Sequence, residues 1–230
     1  MTSYILASFN LIDFFKQGGL FMIPLLVCSV VSIMVMILRG MALRRKLVLP
    51  EAVASEIESL QAGDNSEAIL KLSRLVRGDD SALARIAQVG LQNLQWPKAE
   101  TVEAVQTKAR SEIVRLESGL FILEIIVGIA PLLGLLGAVS GLQSIFADFG
   151  HSSESDPHTI AKGISEALST TIVGIAVAIP SLISYTYFAK KVETMATDME
   201  TLISDMVAKC YVQKKRREAR AERTEVYEGL

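Results

Sequence analysis

Residues 160–188 read IAKGISEALSTTIVGIAVAIPSLISYTYF, and this stretch decides what kind of protein the chain is. It is mostly apolar and longer than the roughly 20 residues that a helix needs to cross about 30 Å of hydrocarbon. Yet it carries the carboxylate of Glu166, followed by the hydroxyls of Ser169, Thr170 and Thr171. A charged residue at the centre of a membrane helix costs roughly 2.5–3.5 kcal/mol on insertion scales, so Glu166 needs an explanation.

Two further apolar runs precede this one, from Leu20 to Leu38 and from Gly119 to Phe149. Basic clusters follow the first and third runs, whereas residues 147–159, ADFGHSSESDPHT, where the second run ends and before the third begins, have three acidic residues and no lysine or arginine. Because basic residues favour the cytoplasmic side, this pattern predicts three spans with the N-terminus outside and the C-terminus in the cytoplasm. A signal peptide would carry its basic residues before the first run, so an uncleaved anchor is expected there.

The predicted fold class is all-α: an integral membrane protein with three transmembrane helices, the second and third extended into a cytoplasmic helical bundle. The predicted segments are a periplasmic N-terminal segment with an interfacial helix (1–19), the first span (20–43), a cytoplasmic helical segment (44–118), the second span (119–147), a short periplasmic loop (148–160), the third span (161–189) and a cytoplasmic extension with a basic tail (190–230).

The predicted cytoplasmic segments contain residues that are typical of helix ends. Gly78 is followed by Asp79, Asp80 and Ser81, which is typical of one helix ending and the next beginning, and a similar turn is predicted at residues 63–66. Pro97 suits the first turn of a helix, and without a strong breaker after it one helix of roughly 80 Å is expected to reach the end of the second span. Apolar residues at three- and four-residue spacing predict two packing seams. The seam before the second span consists of Val102, Val105, Ala109, Ile113, Leu116 and Leu120, and the seam after the third span consists of Val192, Met195, Met199, Leu202, Met206 and Cys210.

Composition argues against several functions. The net charge of −2 does not suggest nucleic-acid binding, and the two cysteines do not suggest a disulfide framework. The two histidines flank an acidic loop without further metal ligands, so neither a metal site nor a cofactor is predicted. The sequence has no nucleophile elbow, glycine-rich phosphate loop or paired-histidine zinc helix, and we therefore predict no catalytic residues and no enzyme.

Rows of mostly small residues on the second and third spans predict close helix packing, which lipid itself does not drive. The rows are Ala130, Gly134, Ala138, Gly141 and Ile145, with Gly137 beside them, and Gly163, Ala167, Thr170, Gly174, Ala178 and Ser181. Pro131 and Pro180 each free a backbone carbonyl, which a neighbouring helix or an enclosed cavity must accommodate. Both helices are thus expected to pack against protein, and the first span, whose apolar run from Leu20 to Leu38 has no glycine, to face lipid.

Two interpretations of Glu166 follow from the residues alone. The carboxylate and its neighbouring hydroxyls can form an ion or proton relay, because such oxygens bind cations, protons or water. Alternatively, Glu166 lies at the outer interface and anchors the helix. For Glu124, near the inner end of the second span, an interfacial role is favoured.

The stretches IAPLLGLLGAVSGLQSIF and IAKGISEALSTTIVGIAVAIPSLISYTYF resemble the second and third spans of the ExbB/TolQ/MotA family of ion-driven membrane motors, in particular its three-span ExbB/TolQ branch. The resemblance implies a homo-pentamer in the bacterial inner membrane. Its second and third spans would line a pore around two helices of a single-span, ExbD- or TolR-like partner, and its first would face lipid. The load would be a TonB- or TolA-like protein.

The resemblance also assigns roles to particular residues. Glu166 matches the pore glutamate and Thr171 the third-span threonine, with Thr170 and Ser169 beside them in the expected ion pathway. The residues expected to pack the pore helices are Gly134, Gly137, Ala138, Gly141, Gly174, Pro131 and Pro180. The resemblance to this branch implies protons as the ion. Ala138 stands where the family often has threonine, which removes a hydroxyl from the expected polar belt and leaves sodium as the alternative ion. A membrane scaffold of an envelope complex, without ion conduction, is the alternative function.

Overall fold

The computed structural model describes residues 19–60, 66–151 and 157–228, and these are helical without any strand. The helices, in chain order, are α1 (Met22–Ala42), α2 (Arg45–Val48), α3 (Glu51–Ser59), α4 (Ser66–Arg77), α5 (Ala82–Gln92), α6 (Lys98–Glu117), α7 (Leu120–His151) and α8 (Pro157–Glu228). The predicted interfacial helix at 1–19 and turn at 63–66 lie almost wholly outside the described residues. The all-α fold class is confirmed.

Three of the described helices are long and apolar enough to cross a membrane, which confirms the prediction of three spans. The candidate spans are Met22–Ala42, Leu120–Ala147 and Ile160–Val212. The chain divides into two compact units. We call residues 1–39 and 119–188 the membrane unit, and residues 40–118 and 189–230 the polar unit; α8 contributes to both.

In the membrane unit, α1 packs against both α7 and α8. Its inner face meets α7 around Ala130 and α8 around Ala178, in a core that also contains Met22, Leu25 and Ile126. The other face of α1 is exposed and consists of large aliphatic residues, which suit contact with lipid: Ile23, Leu26, Val27, Val30, Ile33, Met34, Ile37 and Leu38. This arrangement agrees with the expectation for the first span.

A buried hydrogen bond also joins α1 to α8. The hydroxyls of Ser32 and Ser181 lie 2.6 Å apart, and the Ser181 hydroxyl lies 2.7 Å from the Val177 carbonyl of its own helix. If Ser181 donates to that carbonyl, Ser32 donates to Ser181. Such bonds between membrane helices contribute about 0.6 kcal/mol on average, so this one adds specificity more than stability.

The helix before the second span is interrupted, so the prediction of one unbroken helix from Pro97 is wrong. Helix α6 ends at Glu117, a turn occupies Ser118 and Gly119, and α7 begins at Leu120. The guanidinium of Arg39 lies where a β-carbon of residue 119 would be, so the turn accommodates this side chain because residue 119 is glycine. Glycine is also a weak helix former, which favours a break at this point.

In the polar unit, α3 to α6 and the second part of α8 share an apolar core. The predicted seam residues Val105, Ala109, Met199 and Met206 are buried there. The core also contains Val53, Ile57, Leu72, Val76, Leu83, Ile86, Ile203 and Val207.

The turn predicted at Gly78 is confirmed: the Ser81 hydroxyl accepts a hydrogen bond from the Ala84 amide and caps α5.

A buried carboxylate in this unit was not predicted from the sequence. Glu112 on α6 is 2% exposed and accepts two hydrogen bonds from Arg85 on α5, of 2.9 Å from Nε and 2.5 Å from Nη2. Lys108, one turn earlier, lies 2.8 Å from the same carboxylate. The hydrogen bonds from Arg85 are the main cause that lowers the pKa of Glu112 from 4.5 to about 2, against the opposing effect of burial.

Candidate functional site

Glu166, on the first part of α8, points towards the beginning of α1. Its side chain is half-buried, and its Oε1 occupies the space where residue 19 would carry a β-carbon if it were not glycine. Gly19 has a positive φ of 67° and lies just before α1, which begins at Met22. The carboxylate is therefore close to backbone of the same chain at the N-terminal end of α1.

Of the three hydroxyl residues after Glu166, Thr170 and Thr171 contact α7 and their own backbone. Ser169 and Thr170 are buried, and Thr171 is half-buried. Thr170 donates to carbonyls of its own helix, at 3.2 Å for Glu166 and 3.1 Å for Ala167. The Thr171 hydroxyl lies 3.0 Å from the Ala167 carbonyl and 3.5 Å from the Gly134 carbonyl of α7. Within the described part of the chain, no hydrogen bond joins these hydroxyls to the Glu166 carboxylate.

The small residues bring α7 and α8 into backbone contact. A β-carbon at Gly174 would lie 2.6 Å from the carbonyl oxygen of Ala130, and one at Gly134 would lie 2.9 Å from that of Thr170. At Gly137 it would lie 2.8 Å from the Thr170 side chain. Since β-carbons do not approach other atoms to less than about 3 Å, these glycines set the distance between the two helices.

The same close contact continues along the two helices. A β-carbon at Gly141 would lie 3.0 Å from the carbonyl of Gly163. Ala138 and Pro131 are half-buried. Pro180 is exposed within α8. The structure thus brings the predicted glycines into the contact between α7 and α8, and their place around a pore stays a prediction.

Two features of this unit were not predicted. One is the contact of Glu166 with Gly19. In the sequence, the glycine just before the first apolar run was the one feature that could have indicated this contact. The other is the serine pair that joins α1 to α8. In addition, Glu124 is exposed near the beginning of α7, which is compatible with the interfacial role favoured for it. The described residues contain no group of three or more metal-ligating side chains.

Comparison with known proteins matches the sequence of the chain to a family. A model of the MotA/TolQ/ExbB proton channel family matches residues 79–201, which include α5 to α7 and the first part of α8. A biopolymer transport protein of Synechocystis sp. named ExbB-like 1 is 34% identical over 181 residues, covering 76% of this chain and 69% of the relative.

More distant relatives align over still larger parts of the chain. The biopolymer transport protein ExbB of Neisseria meningitidis serogroup A is 26% identical over 211 residues, covering 85% of this chain and 92% of the relative. An ExbB homologue of Methanothermobacter thermautotrophicus is 25% identical over 195 residues, covering 84% of this chain and 68% of the relative. The family match therefore extends beyond the two spans that carry the sequence motifs.

Proposed function

Because the chain belongs to the MotA/TolQ/ExbB proton channel family, we propose that it is the pore-forming subunit of an ion-driven motor in the bacterial inner membrane. The motor would convert an ion gradient into mechanical work across the periplasm. The observation that carries the proposal is a carboxylate, Glu166, on a membrane-spanning helix whose neighbouring face packs tightly against a second span. An ionisable group in such a position marks an ion pathway by default.

The proposed assembly is a homo-pentamer with α7 and α8 around the pore and α1 outside. A single-span, ExbD- or TolR-like protein would place two helices in the pore. The exposed aliphatic face of α1 supports an outer position for this helix, since lipid would cover it. The orientation proposed has the N-terminus in the periplasm and the C-terminus in the cytoplasm, because the basic residues after α1 and after the third span favour the cytoplasmic side.

The proposed ion pathway passes Glu166, with Ser169, Thr170 and Thr171 beside it. Five ionised carboxylates in a narrow pore repel one another, so proton uptake and release would be a property of the ring. A carboxylate of the partner would exchange protons with this ring and move when neutralised. A potential of 100 mV supplies about 2.3 kcal/mol per elementary charge, which is enough to bias such steps. We propose protons as the ion, and a TonB- or TolA-like protein as the load.

Glu166→Gln tests this function, because glutamine keeps the shape of the side chain and removes its charge. The variant is co-expressed with the single-span partner, and proton flux into liposomes is followed with a pH-sensitive dye. We expect flux to fall to the background level while co-purification of the partner is unchanged. Glu124→Gln on α7 is the matched control and should keep its flux.

The same experiment separates the motor from a membrane scaffold. A scaffold would be indifferent to Glu166→Gln and would lose assembly when a bulky residue replaces Gly174. Full proton flux in Glu166→Gln would contradict the proposed ion relay. Replacing the proton gradient with a sodium gradient in the same liposomes identifies the ion.

A further inference from the structure

Because residue 19 is glycine and has no β-carbon, there is space beside it for the Glu166 carboxylate. A β-carbon at residue 19 would overlap Oε1 of Glu166 and would lie 2.9 Å from its Cδ and 3.6 Å from its Cγ. In addition, the φ of +67° at Gly19 lies in the left-handed region, which costs other residues roughly 1–2 kcal/mol. Two independent requirements, one of space and one of backbone conformation, therefore select glycine at this position.

The beginning of α1 also offers the carboxylate a favourable electrostatic position. The first amide groups of a helix have no acceptor within the helix, and the helix dipole adds partial positive charge at this end. Here the Met22 amide donates to the Gly19 carbonyl at 3.3 Å, so the turn is formed by Gly19 itself. The Glu166 carboxylate therefore lies at the end of α1 where the helix dipole places partial positive charge.

The hydroxyls of Thr170 and Thr171 do not hydrogen-bond to the Glu166 carboxylate. Thr170 and Thr171 donate to backbone carbonyls, as described above, whereas Oε1 of Glu166 lies against the Gly19 turn. Glu166 is consequently docked on α1, the helix that the proposed motor places outside its pore.

We propose that Gly19 is a positioning residue for Glu166, and that the turn at residues 19–21 holds the carboxylate in a docked position which it leaves in order to exchange its ion. This inference rests on the proposed function for its role in transport, but the contact itself does not. Helix α1 thereby takes part in the ion-driven cycle, because its N-terminal turn competes with the pore for the same carboxylate.

A disulfide tests the contact without any transport assay. Cysteines replace Gly19 and Glu166 in full-length protein that also carries Cys28→Ala and Cys210→Ala. The Cγ of Glu166 lies 3.6 Å from the position of a residue-19 β-carbon, and its own β-carbon is one bond further. The two β-carbons are therefore at most about 5.1 Å apart, and a small shift brings them to the roughly 3.5–4.5 Å that a disulfide requires.

We expect a bond within one chain to form on mild oxidation, seen by peptide mass spectrometry. The control pairs Gly19→Cys with Ile164→Cys, because Ile164 is exposed on nearly the opposite face of α8. Equal yields in the two pairs would overturn the contact. If the pair forms its disulfide but the wild-type complex carries no protons, the contact stands and the proposed motor fails. If flux depends on Glu166 but no disulfide forms, the motor stands and the docking is wrong.

A double-mutant cycle tests the positioning role, with the labelling rate of residue 166 by dicyclohexylcarbodiimide as the readout. Gly19→Ala should raise labelling of Glu166, since the new methyl group displaces the carboxylate from its docked position. Glu166→Asp withdraws the carboxylate by one methylene, so Gly19→Ala should then have little effect. Residues in contact usually couple by about 0.5–3 kcal/mol, so we expect the two effects of Gly19→Ala to differ at least about twofold.

Gly128→Ala is the matched control, because a β-carbon at Gly128 would meet nothing within 4 Å. It should leave the labelling rate unchanged. A purely structural role of Gly19 would change labelling equally in the Glu166 and Glu166→Asp backgrounds, and that equality would overturn the positioning role.

Discussion

Replacing Glu112 with glutamine should loosen the contact between α5 and α6 in the polar unit. The carboxylate is buried and holds the guanidinium of Arg85 through two hydrogen bonds, with Lys108 on its other side. Glutamine has nearly the same shape but no charge. The variant therefore leaves the cations of Arg85 and Lys108 beside a neutral amide. Because no cavity is created, the stability that is lost is electrostatic.

The expected magnitude follows from the pKa of Glu112. Folding lowers it from 4.5 to about 2, and one pKa unit corresponds to 1.36 kcal/mol, so the ionised form contributes about 3 kcal/mol at neutral pH. Removing one partner of a buried ion pair typically costs about 3–5 kcal/mol, which agrees with this value. Because the pKa is lowered on folding, this stabilisation is fully present above pH 4.5 and is lost as the pH falls towards 2.

Hydrogen exchange of the amides of α5 and α6, followed by mass spectrometry, measures this loss locally. A change of about 3 kcal/mol corresponds to exchange faster by on the order of 100-fold at pH 7, since each 1.4 kcal/mol is tenfold. Below pH 4.5 the wild-type protein should approach the variant. Glu103→Gln is the control, because Glu103 is exposed on the same helix. Equal exchange in Glu112→Gln and wild type at pH 7 would refute the reasoning.

Three further predictions concern packing and reactivity. Gly174→Ala should destabilise the contact between α7 and α8 by about 1–3 kcal/mol through overpacking, lowering the thermal unfolding midpoint in detergent, whereas Gly128→Ala should not; equal midpoints would contradict this. Ser32→Ala should cost only about 0.6 kcal/mol, the average for hydrogen bonds between membrane helices, because Ser181 keeps its backbone acceptor; a large drop in the same midpoint would show a stronger role. Burial raises the pKa of the Cys210 thiol to about 11, so maleimide labelling at pH 8 should be slow until the polar unit is unfolded; rapid labelling of the folded protein would count against its burial.

The fold could be predicted largely from sequence because its main determinants are local. Hydropathy over about 20 residues reports whether a helix can cross a bilayer, and the basic flanks predict its direction. The cap at Ser81 was likewise visible in a few adjacent residues. The prediction failed at Ser118 and Gly119, where a continuous helical pattern hides a turn that accommodates the distant side chain of Arg39.

The candidate site, like the fold, could be predicted only in part from the sequence. The sequence by itself determined that Glu166 lies in a membrane span beside hydroxyls and small residues, and its motifs indicated the family. Only the tertiary structure decided that Thr170 packs against Gly137, that Glu166 points to Gly19, and that Glu112 is a buried ion-pair partner. The physical reason is that a helix pattern specifies the spacing of residues along one face. Which side chain meets which depends on how helices far apart in the chain pack together, and close contacts between them require the three-dimensional positions of both partners.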